Sequence, residues 1–516
     1  MEDIYCFNQD CIIELSYLIF NDKILLSLSI SLKAIRTCFF FRHTLIPTAQ
    51  CDISKFTSVQ ELDLSNTIQL VDFTFFRYLE RLTLPRCIHK LNFYNCSKLT
   101  YLDCNKDQLD VNFVNCINLK HLKCFYTKNV ESLIHLQSLI CKFENLNHII
   151  LDFSSFCCLT KLHLINNTEY QKIMIPFSTV LIDLLASHVD FLNRQILGDG
   201  LKYLNLRNVQ NILFSNLMSV KSIHFDKIKN INISNQGNVL DMYDMTNLTS
   251  FDISECDEFE NMKLSTSLQR LNMNWNTKNS IDISNLTRLT YLHYSNCCRD
   301  DGMHEFSLPK NIVNFHLTNK STRSSNIQAN IITEQICEMK YLQKLYLIKL
   351  SFDRSKFDKM NQESVTRLVL FNCKFKSLNN FVNLKHLTCE DTDFHNMNMI
   401  SFSSLIKLTI KHSKNFDRIY FSELKNLQTL KLINSGQNLN FDNVKFTNLI
   451  IYSQNVKINQ CNNLKRFQID NSDLFFKLLR EGFPLMLKDI YVKLNEQSDR
   501  YLSKLYMKNI NLHFIE

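Results

Sequence analysis

Two short stretches of the sequence place a histidine three residues before a cysteine, among basic neighbours. They read NLKHLKC, Asn118–Cys124, and NLKHLTC, Asn383–Cys389. A histidine and a cysteine within reach of each other could bind a metal ion or activate the thiol. In a β-strand, however, residues three positions apart face opposite sides of the sheet. If these stretches are strands, His121 lies outward and Cys124 lies in the core, and the two cannot share a metal ion.

The motifs exclude most other chemistry. The 19 cysteines contain no C-x-x-C, and no H-E-x-x-H occurs, so the usual spacings of zinc and thioredoxin-type sites are missing. The 6 glycines form neither G-x-G-x-x-G nor G-x-x-x-x-G-K, which phosphate-binding loops require. Serine, histidine and aspartate are scattered and do not cluster. We therefore expect no catalytic site, no cofactor and no bound metal.

The N-terminal residues, the lengths of the apolar runs and the cysteines indicate the cellular compartment of the protein. The first residues, MEDIYCFNQD, are acidic and polar, unlike a signal peptide, and no apolar run approaches the ~18 residues of a membrane helix. Many cysteines without a pairing pattern favour a reducing compartment. We expect a protein of the cytoplasm or nucleus that does not bind membranes. The net charge of +8 permits a basic patch but does not require nucleic acid as the partner. No cluster of lysine and arginine is dense enough to form a phosphate-binding track, so we expect that the partner is not a nucleic acid.

One pattern recurs along nearly the whole chain. The segments SVQELDLSNT, YLERLTLPRC, KLTYLDCNKD and NLKHLKCFYT share the order ϕxxϕxϕxx, where ϕ is apolar, followed by a small or polar residue. Their first apolar residues, Val59, Leu79, Leu99 and Leu119, are 20 residues apart. Later copies open at Leu136, Leu159, Leu181, Leu201, Val220, Leu248, Leu268, Leu289, Ile312, Leu342, Val365, Leu384, Leu405, Leu427, Phe446 and Leu464, with a weak last copy at Leu487.

This pattern resembles the leucine-rich repeat, L-x-x-L-x-L-x-x-N/C-x-L, over roughly residues 56–495 and about twenty copies. The resemblance implies an α/β repeat solenoid, shaped as a horseshoe or an arc, with a parallel concave β-sheet and helical caps at both ends. It also implies a non-catalytic protein that binds another protein through the concave sheet. The segments between strands carry no long helical period, so we expect short irregular, extended or 3₁₀ structure on the convex side.

Each copy predicts which side chains lie inside. In Leu62-Asp63-Leu64 the two leucines point inward and Asp63 points outward. Cysteine fills the third apolar slot at Cys104, Cys124, Cys141 and Cys389. In that slot it behaves as a small buried hydrophobe and not as a reactive thiol. The phenylalanines that recur shortly before the opening residue, and that we expect to be packed beneath the convex side, are Phe76, Phe381, Phe402 and Phe421.

The repeat is irregular at two gaps, and it is flanked by a different segment at each end of the chain. Spacing is irregular near 226–247 and near 320–341, where we expect a degenerate copy or a surface insertion. The second gap reads as a loop followed by a short helix. We divide the chain into 1–50, a helical cap or F-box-like segment; 51–470, the repeat solenoid; and 471–516, a helical cap with a degenerate repeat.

Residues 10–44 leave two interpretations open. The order DKILLSLSISLKAIR resembles the second half of an F-box, a module that often precedes leucine-rich repeats in substrate-recognition subunits of cullin-RING ubiquitin ligases. Its partner would then be the ligase adaptor. The usual Leu-Pro opening is absent, and a helical cap explains the same residues. The docking or core positions that the resemblance implies are Leu18, Phe20, Leu25, Leu26 and Ile35.

The outward slots of the later copies are basic, with interleaved aromatic residues and few acidic ones. Arginine and tyrosine are residue types that anchor protein interfaces. We therefore predict that a protein partner with an acidic surface binds along these slots. The candidate partner-binding residues are Lys344, Tyr346, Arg367, Phe371, Lys407, Lys411, Lys431 and Arg466.

Overall fold

The fold is taken from a computed structural model of the chain. It describes residues 44–45 and most of 59–514. Within 59–514 the gaps of eight or more residues are 297–305, 320–333, 351–362, 476–485 and 493–509, and shorter gaps fall between strands. Contacts divide the chain into two compact units, Met1–Leu248 with Asn261–Lys263, and Thr249–Glu260 with Leu264–Glu516. Among the described residues, no helix is long and apolar enough to span a bilayer.

The first unit contains ten described strands that pair side by side in chain order, all parallel. They are β1 Thr44–Leu45, β2 Glu61–Asp63, β3 Arg81–Leu84, β4 Tyr101–Cys104, β5 His121–Phe125, β6 Ser138–Phe143, β7 Lys161–Asn166, β8 Asp183–Ser187, β9 Tyr203–Arg207 and β10 Ser222–Asp226. Each strand inside this row pairs with the strands of the preceding and following copies, because one short strand cannot satisfy its own backbone groups.

The second unit repeats the arrangement with thirteen described parallel strands. They are β11 Ser250–Ser254, β12 Arg270–Trp275, β13 Tyr291–Asn296, β14 Asn314–Asn319, β15 Lys344–Ile348, β16 Arg367–Phe371, β17 His386–Glu390, β18 Lys407–Lys411, β19 Thr429–Ile433, β20 Asn448–Tyr452, β21 Arg466–Ile469, β22 Asp489–Val492 and β23 Asn511–Phe514. The register advances by one whole copy from strand to strand, so equivalent slots stand side by side.

Alternation along each strand separates core from surface, as the sequence predicted. In β16, Leu368 and Leu370 are fully buried, whereas Arg367, which precedes Leu368 in the same strand, is exposed. The apolar residue that opens each copy is buried at every position from Val59 to Leu487. Burying one such side chain stabilises the fold by about 1.5–3 kcal/mol. The repeat assignment is therefore confirmed, including the weak last copy, which forms β22.

A double turn leads the chain into a strand. The N–H of Leu79 donates to the carbonyl of Phe76 at 3.3 Å, and the N–H of Phe76 donates to the carbonyl of Phe73 at 3.1 Å. The i, i+3, i+6 spacing places all three side chains in the core. The four predicted phenylalanines are buried, as expected: Phe76, Phe381, Phe402 and Phe421.

Away from the main strands the described chain forms short strands and 3₁₀ turns with little helix, as predicted. In the first unit the short strands are Lys90–Asn92, Asp110–Asn112, Leu151–Asp152, Gln171–Met174, Val189–Phe191, Gln195–Ile196, Gln210–Ser215, Lys229–Asn232, Val239–Asp241 and Asn261–Lys263. In the second unit they are Ile281–Asp282, Phe306–Ser307, Leu439–Asn440 and Val456–Lys457. The described 3₁₀ turns are Val130–Ser132 and Phe421–Glu423.

The irregular regions and ends are described only in part. Short strands occupy part of 226–247, and residues 334–337 are helical, where the second gap predicted a short helix. The F-box-like positions before residue 44 lie outside the described residues, as does the helix predicted after Ser498. At the C-terminal end, β23 pairs with β22 inside the segment predicted as a helical cap. Its sequence NLHF alternates, which suits an added strand.

Among the described residues, six non-glycine residues adopt left-handed backbone conformations, each one position after a main strand. Their φ angles lie between 45° and 56°. At that conformation the N–H of Lys349 donates to the carbonyl of Phe371 at 2.7 Å, which extends the ladder by one bond. The six residues are His188, Lys349, Asn372, Asp391, His412 and Asn434. Glycine would adopt this conformation without steric strain.

The substitution Lys349→Gly is expected to stabilise the protein by about 0.5–1 kcal/mol. The left-handed conformation strains a residue with a Cβ by about 1–2 kcal/mol, and part of the gain is lost to the entropy of an unfolded glycine. Midpoints of urea unfolding measure the change. Lys344→Gly removes the same side chain from an extended position and should destabilise by about 0.5–1 kcal/mol. A destabilised Lys349→Gly variant would contradict the backbone assignment.

Candidate functional site

In both His–Cys stretches the histidine and the cysteine lie on opposite faces of a strand. Cys124 is buried at 3% exposure, whereas His121 lies on the outward face with its ring 6.3 Å from that of Tyr101. Burial raises the pKa of the thiols of Cys104 and Cys389 well above the ordinary value. These thiols are therefore inert packing groups. Within the described residues, no three His, Cys, Asp or Glu side chains are grouped so that they could hold a metal ion.

Outward charges in the first unit meet opposite charges on the neighbouring strand. Lys123 Nζ lies 2.8 Å from Asp103 Oδ2 across β4 and β5. Asp183 Oδ2 lies 3.0 Å from His163 Nε2 and 3.8 Å from Lys161 Nζ. The hydrogen bond with His163 is the main cause of the lowered pKa of Asp183. Cross-strand pairing with a carboxylate therefore offsets the charges of Lys123 and Lys161.

Two predicted partner-binding residues of the second unit are neutralised in the same way. Lys411 Nζ lies 2.8 Å from Glu390 Oε2, and Arg466 Nε lies 3.6 Å from Asp489 Oδ2. The partner of Arg466, Asp489, lies on β22, which is the weak last copy of the repeat. The sequence analysis did not identify Asp489 as an outward acidic residue. These two cations are thus less available to a ligand than their slots suggested.

Three other predicted residues stand in one row of the sheet. The register places Lys344 beside Arg367, Arg367 beside His386, and His386 beside Lys407, on β15 to β18. Adjacent strands are about 4.8 Å apart, so the like charges are near neighbours. In the part of the chain that the structure describes, Lys344, Arg367 and Lys407 form no ion pair. We call Lys344, Arg367, His386 and Lys407 the cationic row.

The cations of the row affect the pKa of His386. Burial, followed by the charges of Arg367, Lys407 and Lys385, lowers the pKa of His386. Its Nδ1 is buried and has no hydrogen-bond partner among the described residues. The imidazole is therefore held neutral between two cations. Sequence reasoning placed His386 outward but did not include it among the partner-binding residues.

Next to the cationic row lies a stack of rings. Tyr346 stacks on His316 with 3.8 Å between ring centroids and a 16° interplanar angle. His316 also contacts Tyr291 at 5.2 Å and His293 at 5.6 Å. The guanidinium of Arg270 sits 4.0 Å above the ring of Tyr291. Tyr346 thus packs against His316 at one end of the row.

The last two predicted residues are Lys431, which contacts an aromatic ring, and Phe371, which is itself aromatic. Lys431 Nζ lies 5.7 Å from the ring centroid of Tyr452, a cation–π contact. Phe371 is half-buried in the outward slot of β16, beside Ile348 and Glu390 in the register. The eight predicted residues thus fall into three groups. Three cations of the row have no ion-pair partner among the described residues, two aromatic residues flank the row, and three cations contact other side chains.

Solved structures resemble this arrangement of strands. A protein described as CroV588, with a novel circular LRR structure, is 15% identical, with 92% of this chain and 81% of that chain covered and a TM-score of 0.50. The fold is that of a leucine-rich-repeat solenoid. No protein-family model matches the sequence, and no curated protein matches it either.

Two further solved structures are similar to this solenoid over almost its whole length. TLR13 in complex with ssRNA13 is 12% identical, covers 92% of this chain and 90% of its own, and has a TM-score of 0.39. The Arabidopsis receptor kinase HAESA, in complex with the peptide hormone IDA and the co-receptor SERK1, is 13% identical, covers 99% and 95%, and has a TM-score of 0.41. At these values neither supports an inference about ligands.

The ring stack predicts a pH effect on stability of the solenoid. Burial, and then the charges of His293, Arg270 and Lys344, lower the pKa of His316 from 6.5 to about 4. The unfolded chain therefore takes up this proton at higher pH than the folded chain. The contribution to stability is complete above pH 6.5 and is lost as the pH falls towards 4.

The variant His316→Phe keeps an aromatic ring against Tyr346 and removes the titrating group. Its unfolding free energy should fall less steeply than that of the parent chain between pH 6.5 and 4, measured by urea unfolding at a series of pH values. NMR titration of the parent should show His316 neutral at pH 6. Parallel stability curves for the two chains would contradict the predicted coupling.

Proposed function

We propose that this chain is a non-catalytic, intracellular leucine-rich-repeat protein that binds an acidic segment of another protein. The binding surface is the outward face of β15 to β18, and the cationic row is its centre. One observation carries the proposal. Lys344 and Arg367 stand in adjacent register positions, Lys407 follows beyond the neutral His386, and none of these three cations forms an ion pair with a described residue. Lys123 and Lys411, by contrast, each pair with a carboxylate on the neighbouring strand.

The physical argument is one of compensation. Like charges directly opposite each other on neighbouring strands destabilise a sheet. An acidic ligand removes that repulsion, so its binding gains both new ion pairs and relief of the repulsion between Lys344 and Arg367. Arginine adds bidentate recognition of carboxylates. The free chain therefore contains an electrostatic repulsion that the binding of an anion relieves.

The surroundings of the cationic row favour a protein over a bare polyanion. Tyr346 and Phe371 flank the row, with Val369 between them in the register. Such a mixture of aromatic, aliphatic and cationic groups is typical of protein interfaces. A nucleic acid surface would need a longer track of cations, because its affinity comes from many phosphate contacts.

Two features support an intracellular, non-catalytic role. All ten cysteines that the structure describes are free thiols, which suits a reducing compartment. The solenoid presents an open face of short strands, and solenoids of this kind use such faces as extended binding surfaces.

Neutralising the cationic row should weaken ligand binding without unfolding the protein. The test variant is Lys344→Gln/Arg367→Gln/Lys407→Gln. Binding of a fluorescent poly-glutamate peptide should fall about tenfold or more, since each lost charge–charge contact at such a surface is worth about 0.5–1 kcal/mol. Fluorescence anisotropy at low and at physiological salt measures the affinity. Circular dichroism checks the fold.

The matched control changes the same number of charges outside the face. Arg288, Lys340 and Lys425 are exposed residues of the turns before the strands of the same unit, and their triple glutamine variant should bind the peptide as the parent does. Equal losses in both triple variants would indicate a general charge effect and reject the surface. A single-stranded oligonucleotide of equal charge serves as a third ligand, and tighter binding to it would reject the protein partner.

His386 offers a second, local readout of the same surface. A bound carboxylate favours the charged imidazole, so the depressed pKa of His386 should rise when the poly-glutamate peptide binds. NMR titration with and without peptide measures this shift, and the pKa of His121 in the first unit, which burial lowers, should be the same in both titrations. An unchanged His386 would place the peptide elsewhere on the protein.

The F-box-like interpretation of residues 10–44 remains a sequence-based alternative that the described residues do not reach. Affinity capture from the source cell separates the two roles. A ligase adaptor recovered with the intact chain and lost on deletion of 10–44 would support the alternative, whereas a partner lost only from the triple glutamine variant supports the cationic row.

A further inference from the structure

Cys157 and Cys158 lie side by side in a surface turn of the first unit. They separate Phe156 from Leu159, both fully buried, at the entry to β7. The equivalent turn positions in other copies are solvent-facing, for example Ile117 at 67% exposure and Tyr341 at 63%. Because the two flanking anchors point into the core, the chain between them holds both thiols outward.

These two thiols differ from the other described cysteines. Cys157 and Cys158 are the only exposed ones in the described part of the chain, where Cys337 is half-buried and the rest are buried. Burial raises the pKa of Cys96 to about 11 and that of Cys116 to about 12, so such thiols do not react at neutral pH. The exposed pair therefore carries the accessible thiol chemistry of the described residues.

The distance between the two sulphur atoms selects the chemistry. Cys157 Sγ lies 3.8 Å from Cys158 Sγ. A disulfide needs about 2.05 Å, and consecutive Cα atoms across a trans peptide are about 3.8 Å apart, shorter than the usual disulfide range. Two thiolates on one tetrahedral zinc-like ion, with bonds of about 2.3 Å, have sulphur atoms about 3.8 Å apart. The observed spacing fits a bridging ion better than an S–S bond.

We propose that Cys157 and Cys158 together form a two-thiolate binding site for a soft, thiophilic divalent cation such as Zn²⁺ or Cd²⁺. Soft thiolate ligands select such ions over Mg²⁺ or Ca²⁺. Each thiol gives up one proton and forms one metal–sulphur bond, so two protons are released for each ion bound and no electron is transferred. Water fills the remaining coordination positions.

The turn is already fixed before an ion arrives. The N–H of Cys157 donates to the carbonyl of Ser155 at 3.0 Å, and Asp152 Oδ1 accepts from the N–H of Ser154 at 2.8 Å. One of the two thiols donates its proton towards the other sulphur across the 3.8 Å contact. An entering cation replaces this shared proton and holds the sulphurs at the same spacing.

Cadmium titration of the full chain tests the site. The parent for this experiment carries Cys297→Ser and Cys298→Ser, which remove the other adjacent cysteine pair of the sequence. In buffer with a non-thiol reductant, Cd²⁺ should give an ultraviolet thiolate-to-metal charge-transfer band that saturates at one ion per chain. Mg²⁺ in excess should not reduce it.

Single-site variants decide whether the band belongs to this pair. Cys157→Ser and Cys158→Ser should each remove most of the band and weaken Cd²⁺ binding about tenfold or more. Cys337→Ser, at a half-buried thiol, should leave both unchanged. A band of parental intensity in either turn variant, or no band in the parent, overturns the proposal. Circular dichroism confirms that each variant keeps the parental fold.

Discussion

The parallel hydrogen-bond ladder between successive copies is the constraint on which the rest of the molecule depends. A strand of four to six residues with two inward side chains, such as Leu368 and Leu370, buries neither them nor its backbone groups alone. Only a neighbour in the same register supplies both. Period, register and core are thus one requirement, and a copy that shifts by one residue would turn its leucines to solvent.

The same register decides which outward charges meet. Residues about twenty positions apart in sequence stand one strand apart, so a lysine faces whatever the next copy carries in that slot. Lys123 meets Asp103 and is neutralised, while Lys344 meets Arg367 and is not. The cationic row is therefore a property of the stacking. Its repulsion is tolerated because each strand is anchored by a large apolar core, and a few tenths of a kcal/mol per pair do not unfold it.

Cysteine shows how position, and not residue type, sets chemistry in this fold. In the third apolar slot, Cys124 and Cys389 pack as small hydrophobes, and burial raises the pKa of the Cys389 thiol well above its ordinary value. In the turn before β7, Cys157 and Cys158 are exposed and 3.8 Å apart. The stretch NLKHLKC, which suggests a His–Cys site, is one strand of the ladder, with its histidine and cysteine on opposite faces.

The sequence by itself determined the fold class, the positions of the main strands and the inward slots, because period two within a copy and about twenty between copies are local signals. It also placed the basic residues of the later copies on the outward face. Only the tertiary structure decided that Arg466 is paired with Asp489, that Lys349 is left-handed, and that Asn511–Phe514 adds a strand where a helical cap was expected. The physical reason is reach: an ion pair or a ladder bond depends on distances between residues far apart in sequence, and a pattern along one chain fixes directions but not distances.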